Sequence, residues 1–242
     1  MKSLLTLACT LCFFVSSSYG QDITVDEIVD TYFENIGGKE AWREIKSMKV
    51  TGDGIQMGMK FPVTVISKEP NLQRFDVEIQ GMTLTDAYDG EVAWGINPFT
   101  GQTEPEKKSD DESAEAAKES FQDDLLDYKE KGSTLALEGT EEYEGSEVYK
   151  LVLTRADGEE RIYFFDTEIL IPLAVRSTMK AGQMKGQVID FVSGDYQEVE
   201  GVMVPHSMKQ VVGGQTMLEM ITNTVEINVP ISDQEFAFPG NE

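Results

Sequence analysis

The chain's stock of reactive side chains is small. It holds one histidine, His206, which follows Pro205 near the start of a strand-like run. Imidazole is the side chain most often used to move protons near neutral pH, and a lone copy reads as an exposed or hydrogen-bonded residue. The two cysteines, Cys9 and Cys12, both fall in an apolar run near the N-terminus. There is no nucleophile elbow, no phosphate loop and no paired-histidine metal motif. Carboxylates abound, and Asp110-Asp111-Glu112 and Asp123-Asp124 are the densest clusters. They lack the ligand spacing and central glycine of a calcium loop, so a solvated helix face explains them better. No acid–base pair stands out. These features point to a protein that is not an enzyme and uses no metal and no cofactor.

What the chain has instead is methionine. Ten follow Met1, nearly all in or beside strand-like runs: Met48, Met57, Met59, Met82, Met179, Met184, Met203, Met208, Met217 and Met220. Any one of them can be ordinary sheet core. As a set they suggest a deformable apolar surface, because the unbranched thioether adapts to variable shapes.

The first twenty residues read as an export signal. Lys2 precedes the apolar run Leu4 to Val15, and Ser18-Tyr19-Gly20 offers small residues at a cleavage site before Gln21. Cleavage there removes both cysteines, which excludes disulfides and thiol chemistry from residues 21–242. No later run is apolar for long enough to cross a membrane as a helix. The formal net charge of −24 discourages binding to nucleic acid or to anionic headgroups.

The elements follow from periodicity. Val25, Ile28, Val29, Tyr32, Phe33 and Ile36 share a helical face, with Thr24 and Glu27 as a capping box and Gly37-Gly38 as the stop. A short second helix is expected over Lys39 to Lys46, carrying Trp42. From Met48 the period becomes two, and turns at Pro70-Asn71, Gln80-Gly81 and Asp89-Gly90 separate short strands. Residues 104–131 carry eleven acidic and five basic side chains, yet Ala114, Ala117, Phe121, Leu125 and Tyr128 keep a thin apolar stripe at helical spacing. The expectation is a solvated helix over 109–130, capped by Ser109 and Glu112; a disordered acidic linker is the alternative. Strands resume to the C-terminus. The sum is an α+β, mainly antiparallel β chain: a curved, half-open β-barrel of about ten or eleven strands with helices packed over the concave side. It is expected to be one domain over residues 21–242.

Residues 67–72, Ser-Lys-Glu-Pro-Asn-Leu, and 87–99, Ala-Tyr-Asp-Gly-Glu-Val-Ala-Trp-Gly-Ile-Asn-Pro-Phe, resemble the periplasmic outer-membrane lipoprotein carriers of the LolA type. Asp195-Tyr196, the run Gly201 to His206 and the closing Glu226 to Val229 resemble a broader group of exported lipoprotein-sorting-like proteins. The resemblance implies a half-barrel whose apolar space between sheet and helices receives acyl chains of lipids or lipoproteins. It also implies a periplasmic location and inner- or outer-membrane sorting partners. An envelope sensor that recognises a protein partner or a mislocalised lipoprotein is the alternative, since one fold hosts many functions. In the carriers an arginine precedes the Pro-Asn-Leu turn and latches the helical lid. Here that position is Glu69, an acceptor in place of a donor.

Strand parity then selects an apolar ligand face. The candidates are Met59, Phe61, Val65, Phe75, Val77, Ile79, Leu84 and Trp94 from the strands, with Phe121 and Leu125 from the lid.

Overall fold

The computed structural model describes residues 23–240. The expected export signal, its cleavage point and both cysteines lie outside the described residues. Two helices open the chain, α1 (Val25–Asn35) and α2 (Lys39–Arg43). Thr24 and Glu27 close the capping box reciprocally, Thr24 Oγ1 accepting from the Glu27 N–H and Glu27 accepting from the Thr24 N–H at 2.8 Å. Gly37 follows α1 at φ +110°, where a Cβ would meet the Gly201 carbonyl oxygen at 2.4 Å. Only glycine lets the helix end dock so closely on a strand turn.

Six strands follow: β1 (Ser47–Gln56), β2 (Met59–Lys68), β3 (Leu72–Ile79), β4 (Met82–Tyr88), β5 (Ala93–Asn97) and β6 (Gln102–Lys107). After α3 (Asp110–Lys118) come β7 (Thr134–Tyr143), β8 (Ser146–Thr154), β9 (Glu160–Asp166), β10 (Pro172–Thr178), β11 (Val188–Val199), β12 (Val202–Val212) and β13 (Gln215–Ile227). All thirteen form one sheet in the order β6-β5-β4-β3-β2-β1-β13-β12-β11-β10-β9-β8-β7. Every neighbouring pair is antiparallel, and every pair except β1 with β13 is consecutive in the chain. The sheet is curved and not closed, which makes the molecule the α+β half-barrel that periodicity implies.

Two details differ from expectation. The strand number is thirteen, not ten or eleven, and the acidic segment itself contributes β6. Its residues Gln102–Lys107 form an exposed edge strand, where the apolar alternation that marks a strand is not required. The helix of that segment is also shorter. It stops at Lys118, Glu119 is extended (ψ 144°), and residues 119–132 run as bends and turns. The Asp123 carboxylate accepts from the Leu125 N–H at 2.8 Å, a local bond that competes with helix.

The two edge strands, β6 and β7, are joined directly by residues 108–133. That connection must therefore span the mouth of the half-barrel. α3 touches β4 and β5 on one side. On the other, Lys118 pairs with Glu159 at 3.2 Å and Asp111 with Lys185 at 3.7 Å, both from turns of the opposite half.

Candidate ligand-binding face

Register assigns each strand residue to a face. Val63 pairs with Val77 and Val77 with Leu84, so the odd-numbered residues of β2 share a face with Phe75, Val77, Ile79 and Leu84. Through β1, Phe61 meets Gly54 and Gly54 meets Met220 of β13, which pairs with Met208. Phe61, Val63 and Val77 are buried in this cluster, packed with Val65, Phe75, Ile79, Leu84, Leu218 and Met220. Glycine at 54 makes the arrangement possible: a Cβ there would lie 2.2 Å from the Phe61 ring.

The same inner face is occupied differently along β8–β12. There α1 contributes Ile28, Val29, Tyr32 and Phe33, which pack with Leu125, Leu126 and Tyr128 against Leu151, Leu153, Tyr163 and Phe165. Leu125 and Phe165 are both 0% exposed, so this region is solid core. A third cluster joins Ile45 with Val202, Val204 and Ile227, and Ala41, Trp42 and Phe121 pack on it. No helix residue belongs to the Phe61 cluster; its central side chains, 2–6% exposed, are buried by their strand neighbours.

The sequence candidates separate accordingly. Phe61, Val65, Phe75, Val77, Ile79 and Leu84 come together. Met59 shares their parity but is 54% exposed at the strand start, so it is rim and not lining. Phe121 and Leu125 belong to the other two clusters, as filler beneath the connection. Trp94 is on the opposite face. It pairs with Ala87, which pairs with Arg74, and these lie between the inner-facing positions. Its indole N–H donates to the Phe236 carbonyl at 2.8 Å, and Phe238 packs edge-on at 6.2 Å, so the C-terminal tail buries it. Period two is blind to which face is inner, and a hairpin's parity does not carry to the next strand. Val63, Leu218, Met220 and Met208 were not among the candidates. Parity with Phe61 could have found Val63. The other three depend on the β1–β13 pairing, which has no local signal.

Two surface concavities, of about 450 and 720 Å³, lie elsewhere. The first sits between β6 and α3, beside Lys107 and Ser113, and the second between Lys46, Lys68 and the tail at Ile231. None of the ten candidates lines either one.

The connection across the mouth is held unevenly. α3 buries no residue and is tied by surface ion pairs and by Ser113 Oγ, which accepts from the Ala93 N–H at 3.0 Å. Residues 121–131 are clamped at almost every position. The Phe121 N–H donates to the Pro70 carbonyl at 3.0 Å, Tyr32 donates to Asp123 at 2.9 Å and Arg43 to Asp127 at 2.8 Å. Asp124 lies 2.8 Å from Arg161, and Tyr128 donates to Asp26 at 2.9 Å. Burial pushes the Asp123 carboxyl above the usual range, despite the Leu125 and Tyr32 donors, with Asp124 adding repulsion. The Arg43 hydrogen bond holds Asp127 below that range. Burial likewise raises the Tyr196 hydroxyl to about 12. His206 is buried, with Nδ1 2.9 Å from the Val204 carbonyl.

Glu69 retains contact with this connection at reversed polarity. Gln122 Nε2 donates to Glu69 Oε1 at 2.8 Å, and Lys46 approaches the same carboxylate at 3.2 Å. Asn71 adds a bond to the Ala117 carbonyl at 3.2 Å. The acceptor that the sequence places before Pro70 is met by a donor from the segment it holds.

A long antiparallel half-barrel with its edge-to-edge connection crossing the concave side is a LolA-like fold, and solved structures of that class superpose on this one. No protein family and no curated protein matches the sequence. A LolA superfamily protein from Nitrosomonas europaea aligns with TM-score 0.55 at 13% identity, covering 89% of this chain and 98% of that one. An outer membrane lipoprotein-sorting protein domain from Vibrio parahaemolyticus gives TM-score 0.55 at 13% identity, over 87% and 94% of the two chains. A DUF1329 family protein from Desulfovibrio piger gives 0.56 at 14% identity, over 88% and 97%. Identity this low establishes the fold alone. Among the described residues no helix is long and apolar enough to cross a membrane.

Proposed function

We propose that this chain is an exported, periplasmic binding protein for the acyl chains of lipids or lipoproteins. It acts as one domain over residues 21–242, without catalysis. The observation that carries the reading is the Phe61–Val63–Val77 cluster, an apolar part of the inner face to which no helix contributes. α3, which buries no residue, crosses the mouth on polar contacts and is tied to the sheet at Asn71 and Ala93. Chain burial there is energetically ample: a sixteen-carbon acyl chain gains about 12 kcal/mol at ~0.8 kcal/mol per methylene. Phe61, Val65, Phe75, Val77, Ile79 and Leu84 line the face in this reading, with Val63, Leu218 and Met220. α3 moves aside while residues 121–131 stay in place. Outer- or inner-membrane sorting partners supply and receive the ligand.

The test is mass spectrometry of an organic extract of the protein, purified natively from an exported preparation without detergent. Stoichiometric phospholipid, fatty acid or lipopeptide is expected. A blank extract from a protein that also ignores a fluorescent acyl probe overturns the reading.

A further inference from the structure

Among the described residues, five of the eight large apolar side chains that stand exposed are methionines: Met57, Met59, Met82, Met208 and Met217. None of the ten described methionines is fully buried. Four of them border the Phe61 cluster, which no helix caps. Met59 and Met82 open β2 and β4 with the parity of Phe61 and Leu84, and they are 54% and 39% exposed. Across the sheet, Met208 faces Met220 directly between β12 and β13. Met208 is 40% exposed, and Met220 packs into the cluster. Leucine would give this lip similar hydrophobicity. Methionine differs in having a thioether sulfur that accepts an oxygen atom. No cysteine lies among the described residues to compete for oxidant.

We infer that Met59, Met82, Met208 and Met220 form an oxidation site that closes the inner face to apolar ligands. The oxidant is a peroxide or a hypohalous acid. With hydrogen peroxide, a thioether lone pair attacks one peroxide oxygen and the O–O bond breaks. The sulfur is oxidised by two electrons to a sulfoxide, and the other oxygen leaves as water. Each sulfoxide sets a strongly polar S=O group where an acyl chain would slide over carbon and sulfur. Burying it without a donor is unfavourable. The change is reversible by methionine sulfoxide reduction. The inference rests on the acyl-binding reading for its ligand, while its chemistry does not.

The experiment treats the intact exported protein with graded hydrogen peroxide and maps sulfoxides by peptide mass. In the same samples it measures a fluorescent acyl probe, a dye for exposed apolar surface, and the circular-dichroism melt. Sulfoxide is expected at Met59, Met82 and Met208, as at the likewise exposed Met57 and Met217, before the half-buried Met220, Met48 and Met203, with the fold retained. Probe affinity should fall about tenfold or more, equivalent to ~1.4 kcal/mol, and methionine sulfoxide reductase should restore it. The variant M59L/M82L/M208L/M220L should bind equally before and after peroxide. Unchanged binding by fully oxidised protein overturns the inference, as does equal loss of binding in the leucine variant. If untreated protein ignores the acyl probe, the carrier reading fails by itself. The dye then decides: a fall on oxidation in the native protein alone supports the inference, and no difference from the leucine variant overturns it.

Discussion

Replacing Gly54 by alanine tests how this half-barrel bends. Gly54 faces Phe61 across β1 and β2, and its ideal Cβ would lie 2.2 Å from Cε2 of the ring and 2.9 Å from Cδ2 and Cζ. Ordinary contact begins at 3.4 Å, so the ring must retreat by more than 1 Å into Val63, Val77 and Met220. Overpacking of this kind costs about 1–3 kcal/mol. Phe61→Leu alone should cost about 1–2 kcal/mol, as a partial loss of buried side chain. In the double variant the new methyl occupies space the ring has left. The two losses should then fall short of additivity by ~1–2 kcal/mol, the scale expected for residues in contact. The assay is urea unfolding of the four proteins, followed by far-ultraviolet circular dichroism. Additive losses, within about 0.5 kcal/mol, would show that Phe61 does not rest on Gly54 and would refute the packing described for the inner face.

Three further outcomes are expected. Trp94→Phe leaves the Phe236 carbonyl without its donor and should cost about 1–2 kcal/mol; in a Trp42→Phe variant, which leaves Trp94 as the one tryptophan emitter, emission should not shift when acyl probe binds, because the indole is on the other face. Leu125→Ala should cost about 2–5 kcal/mol in thermal or urea unfolding, as a fully buried leucine does, whereas a surface lid residue would lose almost nothing. Asp123→Asn should stabilise the protein at pH 7, because burial raises the native carboxyl above its unfolded value, so the ionised form is the disfavoured one. That advantage should shrink as pH falls through the raised native value toward the unfolded one, and an advantage independent of pH would contradict the placement of Asp123.

Local signals carried most of the elements. Thr24 with Glu27 and Ser109 with Glu112 announced two helix starts, because a capping box is complete within four residues. Alternation located the strands from Met59 to Ile96, and turns marked by Pro70-Asn71, Gly81 and Gly90 separated them. The signal failed where side chains ceased to be half-buried: β6 is exposed and reads as charge, not as strand. It failed again after Lys118, where Phe121, Leu125 and Tyr128 keep helical spacing in a stretch that does not form a helix. Those three side chains are satisfied by clusters distant in sequence, and an irregular backbone clamped by Tyr32, Arg43 and Arg161 delivers them there.

The sequence by itself determined an antiparallel chain with one opening helix pair, a strongly negative surface, a single histidine and an unusual supply of strand methionine. All of these are composition or short-range order, and they survive without knowing which strand meets which. The tertiary structure alone decided which apolar residues face inward together. Phe61 reaches Met220 only because β1 pairs with β13, some 170 residues away along the chain, and Trp94 turns outward only through the register of β4 with β5. A strand shows the same alternation whichever face is buried. The inner surface is therefore a property of pairings between distant segments and not of any segment alone.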